Sequence, residues 1–388
     1  MDYCFDEVIN RRNYNSTKHR LLSEDKVIPL WVADMDFKSP PEVAQALSDF
    51  VQHGIFGYTT FTESYEESVC AWFSRNFNWP ADPKWNIRAP GVVFALAAAI
   101  KTVSEEGDAI LIQPPVYHPF AATIKANNRR VVNNPLLLQD NRYQIDFLDL
   151  ENKIITEKVK ALIFCSPHNP VGRVWTKKEL LQLQDICLRH QLYVISDEIH
   201  CDFVYPLHQH HILAGLSLDM ANLCITLTAP SKTFNIAGLQ AANTFIVEEE
   251  LRERYKKEFN KTAYHDPGTF GIVAAEACYR YGQKWHDELI LYLYDNMTYI
   301  KERLINISDK IKLIEPEGTY LLWLDCRALG LDDEELNTFF YQQAKLWLNR
   351  GLIFGIEGSG FMRMNIASPK SVIIQALNQL EAALKTLL

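Results

Sequence analysis

Four side chains in the middle of this sequence could act together on one small ligand. Lys232 stands in "TAPSKTFNIAGLQ", alone among small and hydroxyl residues at the end of the apolar run "NLCITL". Asp197 and His200 follow the run "LYVI" in "SDEIH", and Asn169 follows "ALIF" in "CSPHNPVG". An amine set apart from other charges suits covalent and proton-transfer work. Joined by an amide, a carboxylate and an imidazole, it makes a specific combination. That combination lacks the nucleophilic serine of a hydrolase elbow and the glycine fingerprint of a nucleotide loop. Taken singly, Asp197 could cap a helix, Asn169 could turn the chain before Pro170, and Lys232 could be a surface amine. Their placement after successive apolar runs is what joins them.

Those runs must be strands. Between residues 160 and 232 short apolar segments alternate with helical ones, the pattern of a parallel sheet with crossover helices. They are apolar almost throughout, as strands covered on both faces are. In open α/β sheets ligands gather at the carboxyl ends of the strands. Neighbouring strands lie about 4.8 Å apart, so groups at successive ends fall within reach of one ligand.

Helix signals frame this region. Ser39, Pro40 and Glu42 read as a capping box before a helix whose apolar face holds Val43, Ala46, Leu47, Phe50 and Val51, with Gly54 as its stop. Thr176 and Glu179 repeat the device, and "SPKSVIIQAL" opens the last helix. "QKWHDELILYLYDNMTYIKERLINI" carries a stripe through Trp285, Leu289, Leu293, Ile300 and Leu304, long enough to join two domains. "APGVVFALAAAI" runs from a Pro-Gly turn into a helix, so the amides of Val92 and Val93 could face an anion at its start.

At 388 residues the chain has room for two or three domains, and 48% hydrophobic with 22% charged residues is the balance of a globular protein. A net charge of −9 argues against nucleic acid or an anionic membrane as partner. The first twenty residues show no apolar leader segment, and "VVFALAAAI" is too short to span a bilayer, so a soluble cytoplasmic protein is expected. Eight cysteines without a C-x-x-C pair read as reduced and structural. The tract "HQHH" at 208–211 has no partner ligands at metal spacing and reads as a solvated loop, so no metal is expected.

"SPHNPVGRVWTKKEL", "VISDEIHCDFVY" and "SKTFNIAGLQ" resemble the class I/II aminotransferase-fold enzymes, fold type I, which depend on pyridoxal 5'-phosphate. "PLWVADMDFKSPPEV", "GIFGYT", "EGTYLLWLDCRALG" and "FGIEGSGFMRMNIASP" narrow the likeness to the cystathionine β-lyase (C–S lyase) branch and extend it over nearly the whole chain. The resemblance implies an α/β, three-layer PLP-transferase fold with a mostly parallel central sheet in a large domain and a smaller α+β domain. Residues 1–45 would join the small domain, 46–285 would form the large cofactor-binding domain, and 286–388 the small C-terminal domain.

It also implies roles. Lys232 would bond to the cofactor aldehyde as a Schiff base and carry protons at the substrate's α carbon. Asp197 would pair with the pyridine nitrogen, Asn169 would donate to the ring hydroxyl oxygen, and His200 would lie near the same oxygen. Tyr117 would stack on the ring. Val92, Val93 and Ser231 would hold the phosphate, with Tyr58 reaching it from the neighbouring subunit of a homodimer with shared sites. Arg363, after the loop freed by Gly358 and Gly360, would hold the substrate's α-carboxylate, and the backbone at Ala33 is a second candidate for it.

Eight residues after the lysine, where many aminotransferases of this fold carry a phosphate-binding arginine, stands Gln240, as in the C–S lyase branch. The expected activity is α,β-elimination from L-cystathionine or a related cysteine S-conjugate to a thiol, pyruvate and ammonia. The alternative is an aminotransferase of a small or aromatic amino acid, which shares the same residues up to proton removal.

Overall fold

The computed structural model describes residues 3–20, 22, 26–264 and 268–387. Seven strands form the main sheet: Asn86–Ala89 (β1), Ala109–Ile112 (β2), Arg130–Asn133 (β3), Val159–Cys165 (β4), Tyr193–Asp197 (β5), Cys224–Thr228 (β6) and Ala242–Phe245 (β7). Their spatial order is β1-β7-β6-β5-β4-β2-β3. Strands β2 to β6 pair in parallel, and only β7 runs against its neighbours.

Successive side chains of a strand point to opposite faces, and here each face has its own core. Ile110, Ile163, Ile195 and Ile225 pack on one side, against the helix Val92–Val103 (α2). Leu111, Leu162, Phe164 and Val194 pack on the other. Burial on both faces explains why β4, β5 and β6 read as unbroken apolar runs, and it gives the three layers.

The helix Lys177–His190 (α3) crosses from β4 to β5 and begins with the capping box expected of it. Glu179 donates its N–H to the Thr176 hydroxyl at 3.3 Å, and the Thr176 N–H donates to the Glu179 carboxylate at 2.8 Å. The first expected box does not form. The helix Pro41–His53 (α1) starts after Pro40 with no side-chain cap, because the Ser39 hydroxyl turns to the Asn235 carbonyl at 3.4 Å. Val51, placed on the buried face by its spacing, is 52% exposed.

A second, antiparallel sheet is built from Lys312–Leu313 (β8), Leu321–Asp325 (β9), Asn349–Arg350 (β10) and Phe361–Asn365 (β11), in the order β8-β9-β11-β10. The helix Gln283–Ile307 (α4) leads into it and buries all five residues of its predicted stripe. The helix Lys370–Leu387 (α5) follows it, packed on α4. Near the amino terminus, Ile28–Pro29 pairs in parallel with Leu346–Trp347.

Two buried ionic clusters hold the two sheets in relation. Arg173, in the loop after β4, is fully buried and pairs with Glu317 at 2.8 Å and Glu179 at 2.9 Å. Lys18 is equally buried and meets Asp36 at 2.7 Å, while Arg11 spans Asp34 at 2.6 Å and Asp36 at 2.8 Å. The segment 31–37 is thereby drawn across both units: Asn365 donates to the Val32 and Asp34 carbonyls, and Asn235 to those of Met35 and Phe37.

Candidate active site

The ends of β4, β5 and β6 lie side by side, and a cavity of about 710 Å³ opens above them. Asn169, Asp197, His200, Ser231 and Lys232 all line it. Val92 and Val93 join them from the start of α2, Tyr117 from the loop after β2, and Arg363 from β11 of the second sheet. Ala33 closes one side from the segment 31–37. One site residue of the sequence reading is absent from this wall: Tyr58 is fully exposed and lies outside the cavity of its own chain.

Lys232 sits in the single helical turn Pro230–Thr233 that follows β6. Its ammonium donates to the Ala33 carbonyl at 2.7 Å, and the Tyr320 hydroxyl donates to the same oxygen at 3.2 Å. Ala33 therefore serves the lysine with its carbonyl, which leaves only its N–H for an anion. Burial lowers the Lys232 pKa to about 8, against the opposing pull of Asp34. An amine so placed is partly neutral near physiological pH.

Asp197 is buried at the last position of β5 and accepts the Ile199 N–H at 3.2 Å. Desolvation raises its pKa to about 7, beyond what that hydrogen bond and Lys232 offset. His200 is held neutral, its pKa lowered to about 3 by burial and then by the cations Lys232 and Arg363. Burial also raises the Tyr117 hydroxyl, with Asp197 adding to it.

Arg363 is buried without a carboxylate partner among the described residues. It donates to Asn169 Oδ1 at 2.8 Å, to the Trp31 carbonyl at 3.0 Å and to Asn349 Oδ1 at 2.5 Å, and the Phe354 ring lies 4.8 Å from its guanidinium carbon. Burial lowers its pKa to about 10. Three neutral acceptors orient this guanidinium but leave its charge uncompensated, which suits a site for an incoming carboxylate. Trp31, Asn349 and Tyr320 were missed by sequence reasoning. Trp31 and Tyr320 lie far from Lys232 and Arg363 along the chain, Asn349 stands on the strand beside that of Arg363, and no local spacing signals any of them.

These groups fit pyridoxal phosphate. Asp197 is a carboxylate short of a counter-ion, the need a protonated ring nitrogen meets. The Nδ1 of His200 and the Nε of Arg363 are buried with no hydrogen-bond partner among the described residues. At the other end of the cavity, the first amides of α2 have no intrahelical acceptor, and the earliest bond into the helix runs from the Ala95 N–H to the Gly91 carbonyl. With the Ser231 hydroxyl they make a phosphate-type donor set. Gln240 also lines the cavity, where an arginine would have added a charge.

The "HQHH" tract has another use. His210 is buried and meets the Glu198 carboxylate at 2.7 Å, while His208 and Gln209 are exposed, so the tract is a loop but only in part a solvated one. Glu198 also accepts from the Ser196 hydroxyl and the Leu213 N–H, which anchors the turn beyond β5 that carries His200. Among the described residues no cluster has the makings of a metal site, and no helix is long and apolar enough to cross a membrane.

Comparison with known proteins agrees with this geometry. The model of the family "Aminotransferase class I and II" matches residues 25–380. Cystathionine beta-lyase PatB of Bacillus subtilis (strain 168) is 41% identical over 357 residues, which cover 92% of each chain. The crystal structure of cystalysin from Treponema denticola, which contains a pyridoxal 5'-phosphate cofactor, superposes with a TM-score of 0.97 at 40% identity, covering 100% of both chains. A PLP-bound C-S lyase from Staphylococcus hominis superposes with a TM-score of 0.92 at 32% identity, covering 99% of this chain and 98% of that one.

Proposed function

This chain belongs to the class I and II aminotransferase family, and from that membership and the cavity geometry we propose that it is a pyridoxal-phosphate-dependent carbon–sulfur β-lyase. Its substrate is L-cystathionine or a related cysteine S-conjugate, and its products are a thiol, pyruvate and ammonia. One observation carries the reading: a buried amine of lowered pKa, Lys232, shares one cavity with a buried carboxylate, Asp197, and an uncompensated guanidinium, Arg363. Gln240, the residue that marks the lyase branch, and the lyase names of the relatives favour elimination over amino transfer.

Bound pyridoxal phosphate supplies an aldehyde that an amine can join and a pyridine ring that takes up negative charge from the substrate's α carbon. The chain's own groups do the rest. Arg363 holds the substrate's α-carboxylate in a two-pronged pair, its fork already set by Asn169, Trp31 and Asn349. Lys232, partly neutral at working pH, takes the α proton. Asp197 keeps a proton on the ring nitrogen. Asn169, whose oxygen is committed to Arg363, has its NH2 left to donate to the ring oxygen, and neutral His200 stands beside it. Tyr117 covers one face of the ring, while Val92, Val93 and Ser231 hold the phosphate.

The working unit in this reading is a homodimer with shared sites. Phe50, Phe56 and Phe270 form a cluster of tilted and edge-on rings with centroids 5.9 to 6.1 Å apart. Ile55, Phe56 and Tyr58 beside them are exposed, as is Val93 at the phosphate end of the cavity. An apolar surface of that kind asks to be covered, and covering it with a second copy brings that copy's Tyr58 toward the phosphate. All eight cysteines are free, which suits the reducing cytoplasm.

Lys232→Ala tests the assignment. The purified variant should lose both the yellow colour of bound cofactor and turnover; a yellow, active variant would refute the role.

A further inference from the structure

A second cavity, of about 240 Å³, adjoins the first and shares two of its walls, Tyr117 and His118. It lies over the carboxyl ends of β2 and β3, at Ile112 and Asn133, and beneath the loop 351–358. The ends of that loop are pressed together: a Cβ on Gly351 or Gly358 would collide with the other's carbonyl. Its middle is pinned to the cavity wall, where the Val116 N–H donates to the Phe354 carbonyl at 2.9 Å. The Phe354 ring backs the Arg363 guanidinium, while Leu352, Ile353, Ile356 and Glu357 of the same loop line the second cavity. One short loop thus connects the candidate carboxylate site to a separate chamber.

Two polar atoms that face that chamber have no partner among the described residues. Glu357 Oε2 is buried without a hydrogen bond, a costly arrangement unless a ligand completes it. Gly355 makes room for it: at a φ of 127°, a Cβ there would stand 2.6 Å from that oxygen. Lys125, exposed to solvent at the chamber's rim, lines it too, and its ammonium meets no acceptor among the described residues.

We infer that this chamber is a distal subsite for a sulfur leaving group that is itself an amino acid, with its ammonium on Glu357 and its carboxylate on Lys125. Leu352, Ile353 and Ile356 supply the apolar wall for the chain between sulfur and charge. The inference rests on the lyase reading, since the group it seats is the substituent on the substrate's β sulfur. Two leaving groups share this chemistry, the homocysteine thiolate of cystathionine and the cysteine persulfide of cystine. A substrate without a distal ammonium leaves Glu357 unpaired, and a buried polar group left unpaired discriminates strongly.

The test uses wild-type, Glu357→Gln and Lys125→Met holoenzymes with L-cystathionine, L-cystine and β-chloro-L-alanine, which has no distal group. For each substrate two quantities are measured, kcat/KM from pyruvate release and an apparent Kd from the rapid absorbance change of the bound cofactor. Both variants should lose about tenfold or more in kcat/KM, chiefly through KM, on at least one of the two amino-acid conjugates. Turnover of β-chloro-L-alanine should stay unchanged. Loss on cystathionine alone assigns the subsite to homocysteine, and loss on cystine alone assigns it to the persulfide. Equal loss on all three substrates, or loss on neither conjugate, overturns the subsite. Should the wild type release no pyruvate from any substrate, the lyase reading fails instead. The Kd values then decide the subsite by themselves: weaker conjugate binding in the variants supports it and unchanged binding overturns it.

Discussion

Asp197 is built into the fold at a cost that, in the role proposed for it, bound cofactor would relieve, and that cost can be measured. Its pKa is raised from 3.8 to about 7, chiefly by desolvation, with Glu198 adding to the rise and the Ile199 N–H and Lys232 opposing it. A raised carboxyl favours the folded state only while protonated there. The contribution is fully present below the unfolded value of 3.8 and is lost as pH climbs through about 7. Three units correspond to ~4 kcal/mol, all of it set against the cofactor-free fold at about pH 8.5 and roughly half of it at about pH 5.5. Asparagine has nearly the same shape and no charge at any pH. Cofactor-free Asp197→Asn should therefore outlast the wild type in urea by ~4 kcal/mol at about pH 8.5, and by about half that at about pH 5.5. The loaded variant should turn over about a hundredfold more slowly, having lost a charge-assisted partner for the ring nitrogen. Equal unfolding midpoints for the two proteins at the higher pH would refute the reasoning. So would a gain that does not shrink as the pH is lowered.

Other residues make equally direct predictions. Arg363→Lys keeps a cation but loses the fork set by Asn169 and Asn349, so kcat/KM should fall about a hundredfold, mostly through KM, in steady-state assays; a change under about threefold would remove Arg363 from the carboxylate site. Mixing separately inactive Lys232→Ala and Tyr58→Ala proteins should restore activity if each site draws on both subunits. Failure of hybrids to regain activity, where size-exclusion chromatography shows that they form, would count against the shared site.

The parts of the site legible in the sequence were those backed by the main sheet. Strands β4, β5 and β6 are buried on both faces, so each is an apolar run with a sharp polar end, and Asn169, Asp197 and Lys232 stand at those ends. The turn into α2 was legible because a helix start exposes its own donors, whatever folds around it. Trp31, Asn349 and Tyr320 were not, because they reach Arg363 and Ala33 only once the second sheet and the segment 31–37 close over the cavity. The same long-range closure took the Ser39 hydroxyl away from its expected cap and gave it to Asn235. His210 misled for a related reason. Among neighbouring polar residues it reads as solvated, yet the fold buries it against Glu198. Tyr58 is exposed and outside its own chain's cavity, and the role proposed for it depends on a second chain, which no periodicity within one sequence encodes.

The central claim is that this cavity eliminates sulfur from the β carbon without needing an amino acceptor. It is tested most directly by incubating the purified holoenzyme with L-cystathionine in the absence of any keto acid and following pyruvate and free thiol together. The account predicts equal amounts of both, sustained over many turnovers. Pyruvate absent under those conditions, with amino transfer appearing once a keto acid is added, would contradict it.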